Sequence, residues 1–194
     1  EDWATNRASL NVAAGAAISE IAYDPSQFDA LTGAGSISLD GGSTMTVGIN
    51  NTAAGAYNPA GIATFSGSLS AGGSLAKNGA GTQILSGAKT FTGQTIVNRG
   101  TLVFDGGAHT NTASQDWVGY TAGQEGRLIL TNNARFVNNA NWFQVGTSVG
   151  STGVVVMVDG YLRYGVNGFL VGNWGYGAFY QLGGEFSGNG EFDT

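Results

Sequence analysis

Residues 78–106 read NGAGTQILSGAKTFTGQTIVNRGTLVFDG, and this stretch decides the fold class of the chain. It contains three short runs of β-branched, aliphatic and aromatic residues, at 83–85, 95–97 and 101–104. Small residues separate these runs, which is typical of strands joined by tight corners. Three strands in so short a stretch leave no room for a helix and favour one coil of a β-solenoid. A series of hairpins is the competing interpretation of the same residues.

The same stretch resembles the passenger-associated transport repeat of bacterial autotransporters, whose pattern is roughly G-x-G-T-L-x-L-S-G-x-N-T-[YF]-T-G-x-T-x-V-x-x-G-T-L. The matching residues are Gly79, Gly81, Thr82, Leu85, Ser86, Gly87, Thr90, Phe91, Thr92, Gly93, Thr95, Val97, Gly100, Thr101 and Leu102. The departures are Gln83 and Ile84 in the first strand and Lys89, which stands where the family often has Asn. The repeat is scaffold in that family, so the resemblance implies a β-helical protein that is exported across an outer membrane.

The composition suits an extracellular solenoid and excludes several other classes of protein. Glycine contributes 34 of 194 residues without a collagen period, and charged residues are only 10% of the chain. The 7 Lys and Arg residues are isolated in a chain of net charge −6, so we expect no binding to nucleic acid. Cysteine is absent, which excludes disulfides and thiolate metal sites. No apolar run of about eighteen residues occurs, so we expect no membrane insertion by this chain.

We divide the chain into an N-terminal cap or first coil at residues 1–30 and a β-solenoid at residues 31–194. In the first part, Ile18–Tyr23 fits either a strand or a short helical cap, and Asp24-Pro25 predicts a turn. In the second part, residues 51–61 interrupt the rhythm and predict a loop that protrudes from one corner of a coil.

The C-terminal repeats, at residues 118–194, are more visible than the rest. Val-Gly pairs begin at Val118, Val145 and Val171, at spacings of 27 and 26 residues. A fixed period of this length is typical of one structural unit that stacks on its copies. A lone coil cannot bury its inward side chains, so the repeat predicts a stack of coils.

These periods predict an all-β fold, a single right-handed parallel β-helix with coils of about 25 residues. Stacked coils lie about 4.8 Å apart, so equivalent inward positions form columns along the axis. We expect Leu102, Leu128 and Val155 to form one apolar column. Gly, Asn and Asp at the corners supply left-handed backbone or local side-chain caps.

The segment Gly146–Gly150 matches the G-x-S-x-G pattern of a nucleophile elbow, which needs an acid and a histidine as partners. The preceding repeat holds Gly119–Gly123 in the same position, so a repeated solenoid corner explains the match better. His109 is the single histidine of the sequence and lies in a turn rich in Gly, Thr and Asn. We therefore expect a solvated His109 and no catalytic serine.

Three aspartates are the second candidates, because paired carboxylates on a β-solenoid can cleave polysaccharides. Asp40, Asp105 and Asp159 each precede glycine in a turn, where Asp is favoured for backbone reasons alone. The calcium-binding nonapeptide of β-rolls is absent. The sequence therefore predicts no catalytic residue, no cofactor and no metal site.

Aromatic residues are concentrated in the C-terminal part, where 14 of the 21 lie from Trp117 onward. Some of them fill the interior of a solenoid, and exposed ones suit stacking on sugar faces or a protein interface. The final residues are still in repeat register, so the last coil presents strand edges that template pairing with another chain. We expect an interface formed by Phe179, Tyr180, Phe186 and Phe192.

The function that these features favour is a secreted or cell-surface β-solenoid without enzymatic activity, serving as a stalk, an adhesin or a filament element. Its expected partners are copies of itself, bound through the solenoid ends, and a glycan or surface receptor. The alternative is a carbohydrate-active β-helix enzyme that acts on polysaccharide. Carboxylates clustered with Arg or Lys in one groove would favour that alternative.

Overall fold

The computed structural model describes residues 8–22, 26–48 and 61–194. This part of the chain contains 23 β-strands and no helix. The strands form a parallel β-solenoid of about 7 turns with about 24 residues per turn. The all-β solenoid predicted from the sequence is therefore confirmed. Within these ranges, no helix is long and apolar enough to cross a membrane.

The solenoid has three faces, and successive strands of the chain pass from one face to the next. The first face is an eight-stranded sheet of β1 (Leu10–Val12), β4 (Leu31–Gly33), β7 (Ile62–Phe65), β10 (Thr82–Leu85), β12 (Gly100–Asp105), β15 (Glu125–Thr131), β18 (Thr152–Met157) and β21 (Tyr176–Gln181). The second is an eight-stranded sheet of β3 (Ser26–Phe28), β6 (Thr44–Val47), β9 (Ser74–Lys77), β11 (Thr95–Val97), β14 (Asp116–Val118), β17 (Trp142–Val145), β20 (Gly168–Val171) and β23 (Glu191–Asp193). The third consists of two smaller sheets, one of β2 (Ala17–Ile21), β5 (Ser36–Leu39) and β8 (Ser68–Ser70), the other of β13 (Ala108–Asn111), β16 (Arg135–Asn138), β19 (Tyr161–Tyr164) and β22 (Glu185–Gly188).

The predicted apolar column is confirmed on the first face. Leu102, Leu128 and Val155 are ladder partners in consecutive coils, and each is fully buried. Phe179 continues the same column in β21. Burying each such side chain contributes about 1.5–3 kcal/mol. Similar columns on the other faces join this one in a single hydrophobic cluster that runs through the coils.

A second column consists of glycines at the start of the first-face strands, namely Gly100, Gly126, Gly153 and Gly177. A Cβ atom at Gly126 would lie 2.1 Å from the carbonyl oxygen of Val97. A Cβ atom at Gly153 would lie 2.1 Å from the carbonyl oxygen of Val118. Both oxygens belong to residues that end second-face strands, so the backbone passes these two glycines too closely for any side chain.

The third face is interrupted once, within residues 78–106. Between β8 and β13 the chain forms a single parallel bridge, which joins Leu69 to Lys89. The three-stranded and four-stranded sheets lie on opposite sides of this bridge. The first and second faces continue past it as eight-stranded sheets.

Strands β1, β2 and β3 form a first coil, because they pair with β4, β5 and β6. The run that begins at Ile18 is part of a strand and not of a helical cap, since β2 covers Ala17–Ile21. The turn predicted at Asp24-Pro25 and the loop predicted at 51–61, except Gly61, lie outside the described residues.

Candidate functional site

His109 lies inside the solenoid, so the expectation of a solvated histidine is wrong. The residue is 1% exposed. Its ring centroid lies 4.2 Å from that of Phe91, 5.6 Å from that of Phe104 and 4.9 Å from that of Phe136. Strand alternation in β13 buries His109 together with Asn111. Burial lowers the pKa of His109 to about 3, so the ring is neutral at neutral pH.

Asp116 is a second polar residue of the interior, at the start of β14. Its Oδ1 atom accepts hydrogen bonds from the Thr95 backbone N–H at 2.8 Å and from Asn111 Nδ2 at 2.9 Å. Its Oδ2 atom accepts one from Asn138 Nδ2 at 2.7 Å. Burial raises the pKa of Asp116 to about 7, although the three hydrogen bonds oppose this effect. The interior therefore contains a carboxyl group that titrates near neutral pH.

Asn111 and Asn138 also hold the corners that follow β13 and β16. The Oδ1 atom of each accepts hydrogen bonds from the backbone N–H groups two and three residues further along the chain. The two residues are ladder partners. The same side-chain cap is thus built in two consecutive coils, and Asp116 bonds to both copies.

Thr95 lies between His109 and Asp116, but the arrangement is not a catalytic triad. Thr95 Oγ1 is 3.3 Å from His109 Nε2, whereas Asp116 contacts the backbone N–H of Thr95 and not the histidine. All three residues are 1% exposed, so the network is closed to a substrate. The role of the network is structural. Each buried polar group is satisfied only while its partner lies opposite it, so the hydrogen bonds fix the register of the coils.

The Gly146–Gly150 segment is a solenoid corner and not a nucleophile elbow. It stacks on Gly119–Gly123 through two backbone hydrogen bonds of 3.1 Å. The first and last glycine of each segment have φ between 70° and 74°, where glycine is favoured. Ser148 Oγ donates a hydrogen bond to the backbone carbonyl of Tyr120. The serine therefore joins two corners.

The structure does not bring the three candidate aspartates together. Asp40 follows β5, Asp105 ends β12, and Asp159 lies between β18 and β19, so each belongs to a different coil. Asp159 Oδ1 accepts a hydrogen bond from the backbone N–H of Asn133 at 2.8 Å, which is a corner cap. The described part of the chain contains no group of three or more His, Asp and Glu residues that could hold a metal ion.

Gln83 and Lys89, two of the departures from the repeat pattern, are buried polar residues. Gln83 Nε2 donates to the carbonyl of Leu31 at 2.9 Å, and its Oε1 accepts from the Leu31 N–H at 3.1 Å. Leu31 belongs to β4, and Gln83 reaches it across β7, where the ladder partner of Gln83 is the small residue Ala63. Lys89 Nζ donates to the carbonyl oxygen of Leu85, at the end of β10, at 3.0 Å and to that of Gly87, in the corner that follows, at 2.6 Å. These side chains satisfy backbone groups that a regular ladder would satisfy.

The last coil carries the predicted interface residues Phe179, Tyr180, Phe186 and Phe192. Three of them surround Phe169, with ring-centroid distances of 5.3 Å for Phe179, 5.1 Å for Phe186 and 5.8 Å for Phe192. We call these three rings the aromatic end of the core. Phe179 and Phe186 are half-buried, while Phe192 is 52% exposed. Tyr180 makes no ring contact with them and is 52% exposed.

Residues 75–104 match the family described as passenger-associated-transport-repeat. Comparisons with curated proteins and with solved structures found no match. The matched segment begins in β9, ends in β12 and includes Gln83 and Lys89. A repeat of this kind implies a secreted or surface-exposed protein. The chain is therefore a parallel β-helix that carries one segment similar to the transport repeat of autotransporter passengers.

Proposed function

We propose that this chain is a non-enzymatic structural element of an exported surface protein, a stiff stalk built of stacked coils. The continuous core supports the proposal most, because one hydrophobic cluster extends from Val12 to Phe169. Eight-stranded parallel sheets bond each coil to the next on two of the three faces. In such an array each coil is stabilised by its neighbours, so the whole stack behaves as a rod.

The positions of the polar residues also support a role without turnover. The histidine and the most strongly perturbed carboxyl group, His109 and Asp116, are enclosed in the core. Asp105 and Asp159 belong to different coils, whereas hydrolysis of a glycosidic bond ordinarily takes two carboxylates that flank it.

The chain is expected to release no reducing ends from plant, algal or bacterial polysaccharides. The physical reason is that no two candidate acids among the described residues share one open cleft. A reducing-sugar assay, run beside ultraviolet detection of unsaturated products, measures both hydrolysis and elimination. Asp105→Asn and Asp159→Asn are the matched variants. Release by the native chain that disappears in either variant would overturn the non-enzymatic proposal.

The proposed stalk extends by contact of its aromatic end with a second copy of the chain. Strands β21, β22 and β23 are the last strands of their sheets among the described residues, and no strand of this segment lies against their outer edges. Phe192 lies parallel to Phe169 at an interplanar angle of 7° and keeps half of its surface exposed. A strand edge beside an exposed apolar ring suits the addition of a further coil, which would complete both the ladder and the core.

The variant Phe192→Lys is expected to associate at least about tenfold more weakly than the native chain, because it replaces an apolar contact with a charge. Sedimentation velocity over a wide concentration range measures this change. Val149→Lys is the matched control, since Val149 is 74% exposed on a corner between β17 and β18 and not on an outer strand of the last coil. A native chain that stays monomeric at the highest concentration, or equal effects of both variants, would contradict the proposed contact.

A further inference from the structure

A groove on the outer surface results from unequal corner lengths between second-face and first-face strands. The corner between β11 and β12 has only residues 98–99, whereas the neighbouring corners span residues 78–81 and 119–124. The short corner is therefore recessed between two longer ones. The resulting groove has a volume of about 520 Å³, and Ala80 and Gln124 lie on its two sides.

Two guanidinium groups line this groove. Arg99 belongs to the short corner, and Arg127 is the ladder partner of Thr101 one coil further along. Both arginines are exposed. Arg127 Nη2 lies 3.6 Å from Glu125 Oε1, but this pair is largely exposed and therefore weak, so Arg127 can exchange it for another anion.

A buried lysine lies beneath the groove. Lys77 is fully buried, and its Nζ donates a hydrogen bond to the backbone carbonyl of Arg99 at 3.1 Å. Burial, and secondarily the charge of Arg99, lower the pKa of Lys77 to about 7. Three of the 7 Lys and Arg residues thus lie at one place in a chain of net charge −6. The two arginines that line the groove outnumber its single carboxylate, Glu125, so the groove is a positive site on an acidic protein.

The other lining groups restrict which anion fits. Thr101 offers a hydroxyl group, Gln124 an amide and Glu125 a carboxylate, all of which bond to hydroxyl groups. Glu125 also repels a ligand with dense negative charge. A ligand with many hydroxyl groups and sparse carboxylates satisfies both requirements.

We propose that this groove binds an acidic saccharide, with a sugar carboxylate between Arg99 and Arg127 and its hydroxyl groups on Thr101, Gln124 and Glu125. Arginine suits this role because its planar fork matches a carboxylate. Glu125 is the single carboxylate among the described residues that line the groove, whereas glycoside hydrolysis takes two. The groove therefore lacks the carboxylate pair of a glycoside hydrolase, and the proposal is for binding alone. This site is independent of the aromatic end, so either proposal can fail alone.

The test is an NMR titration of the isotope-labelled chain with a galacturonate trisaccharide and, separately, with its methyl ester. The acid is expected to shift the backbone amide signals of the groove, at residues 99–101 and 123–127, in a saturable manner. The ester keeps the rings and loses the charges, so it is expected to shift them far less. Arg99→Gln and Arg127→Gln are each expected to weaken binding about tenfold or more.

Arg135→Gln is the matched control, because it removes the same charge from the outer side of β16, where Arg135 lies over the ring of Tyr161. It is expected to bind the trisaccharide like the native chain. Equal weakening by all three substitutions would overturn the proposal, as would equal shifts with acid and ester. Tighter binding of a heparin fragment or an oligonucleotide than of the galacturonate would also overturn it, because it would show a preference for dense charge.

Discussion

The variants Asp116→Asn and His109→Gln are expected to respond to acid in opposite directions. Asp116 has a pKa of about 7 in the folded chain against 3.8 without burial, so the folded state binds the extra proton between these values. Its contribution to the free energy of unfolding therefore grows as the pH falls through this window. His109 has a pKa of about 3 against 6.5, so here the unfolded state binds the extra proton and stability falls with pH.

In the native chain the two contributions nearly cancel between about pH 4 and pH 6, since each amounts to roughly 1.4 kcal/mol per pH unit. Asp116→Asn removes the carboxyl effect and keeps only the histidine effect, so that variant should lose stability on acidification. His109→Gln removes the histidine effect and keeps only the carboxyl effect, so that variant should gain stability on acidification. Across this window the two variants should diverge by about 5 kcal/mol.

Urea unfolding at a series of pH values measures this divergence. The comparison between variants removes the contribution of the remaining titrating groups, which both share. It also tolerates a constant loss of stability in either variant, because only the slope with pH is compared. Parallel curves for the two variants would show that Asp116 and His109 titrate normally and would refute the assignment.

The substitution Gly153→Ala is expected to lower the free energy of unfolding by at least about 3 kcal/mol. Its new Cβ atom would meet the carbonyl oxygen of Val118 at 2.1 Å, which is far inside contact distance. The obstacle is backbone, so no side-chain rotation relieves it. Gly126 and Gly177 flank Gly153 in the ladder, and a shift of one coil would disturb both neighbours.

Gly41→Ala is the control for this prediction, since a Cβ atom there would have no neighbour within 4 Å. Alanine restricts the unfolded chain, so this variant should equal the native chain or exceed its stability by up to about 1 kcal/mol. Urea midpoints and near-ultraviolet circular dichroism compare the two variants. A Gly153→Ala chain as stable as the Gly41→Ala chain would contradict the prediction, because it would show that the coils can move apart around the new Cβ atom without loss of stability.

The fold could be predicted because its determinants are local and repeated. Alternating strands and a period of about 25 residues define which side chains point inward. That reasoning placed Leu102, Leu128 and Val155 in one column. It also identified the Gly146–Gly150 segment as a repeated corner, because the same pattern stands one period earlier.

The polar interior could not be predicted from local composition. The glycine and threonine around His109 suggest a surface turn, and only the start of β13 determines that the ring points inward. Asp116 was missed for a related reason, although the sequence contained a signal. It precedes Phe143 by 27 residues, the same spacing that relates Val118 to Val145, so the repeat itself marks Asp116 as an inward position.

The groove was missed because it depends on a difference between neighbouring corners. Arg99 and Arg127 are 28 residues apart and look isolated in the sequence. They come together because residues 98–99 make an unusually short corner, whose length is known only once the strand ends are known. A single repeat does not contain this difference in corner length.

The single bridge between Leu69 and Lys89 gives the transport repeat a mechanical meaning. In a stacked array the cohesion between coils is the sum of the ladders that join them. At this position the ladders of the first and second faces continue and that of the third face is reduced to one bridge, beside which the ammonium group of Lys89 bonds to two backbone carbonyls. A pull along the axis is therefore expected to part the rod here first. The segment that matches the transport repeat lies where the third face changes from one sheet to the next, so we expect the coils before it and the coils after it to open as two separate steps.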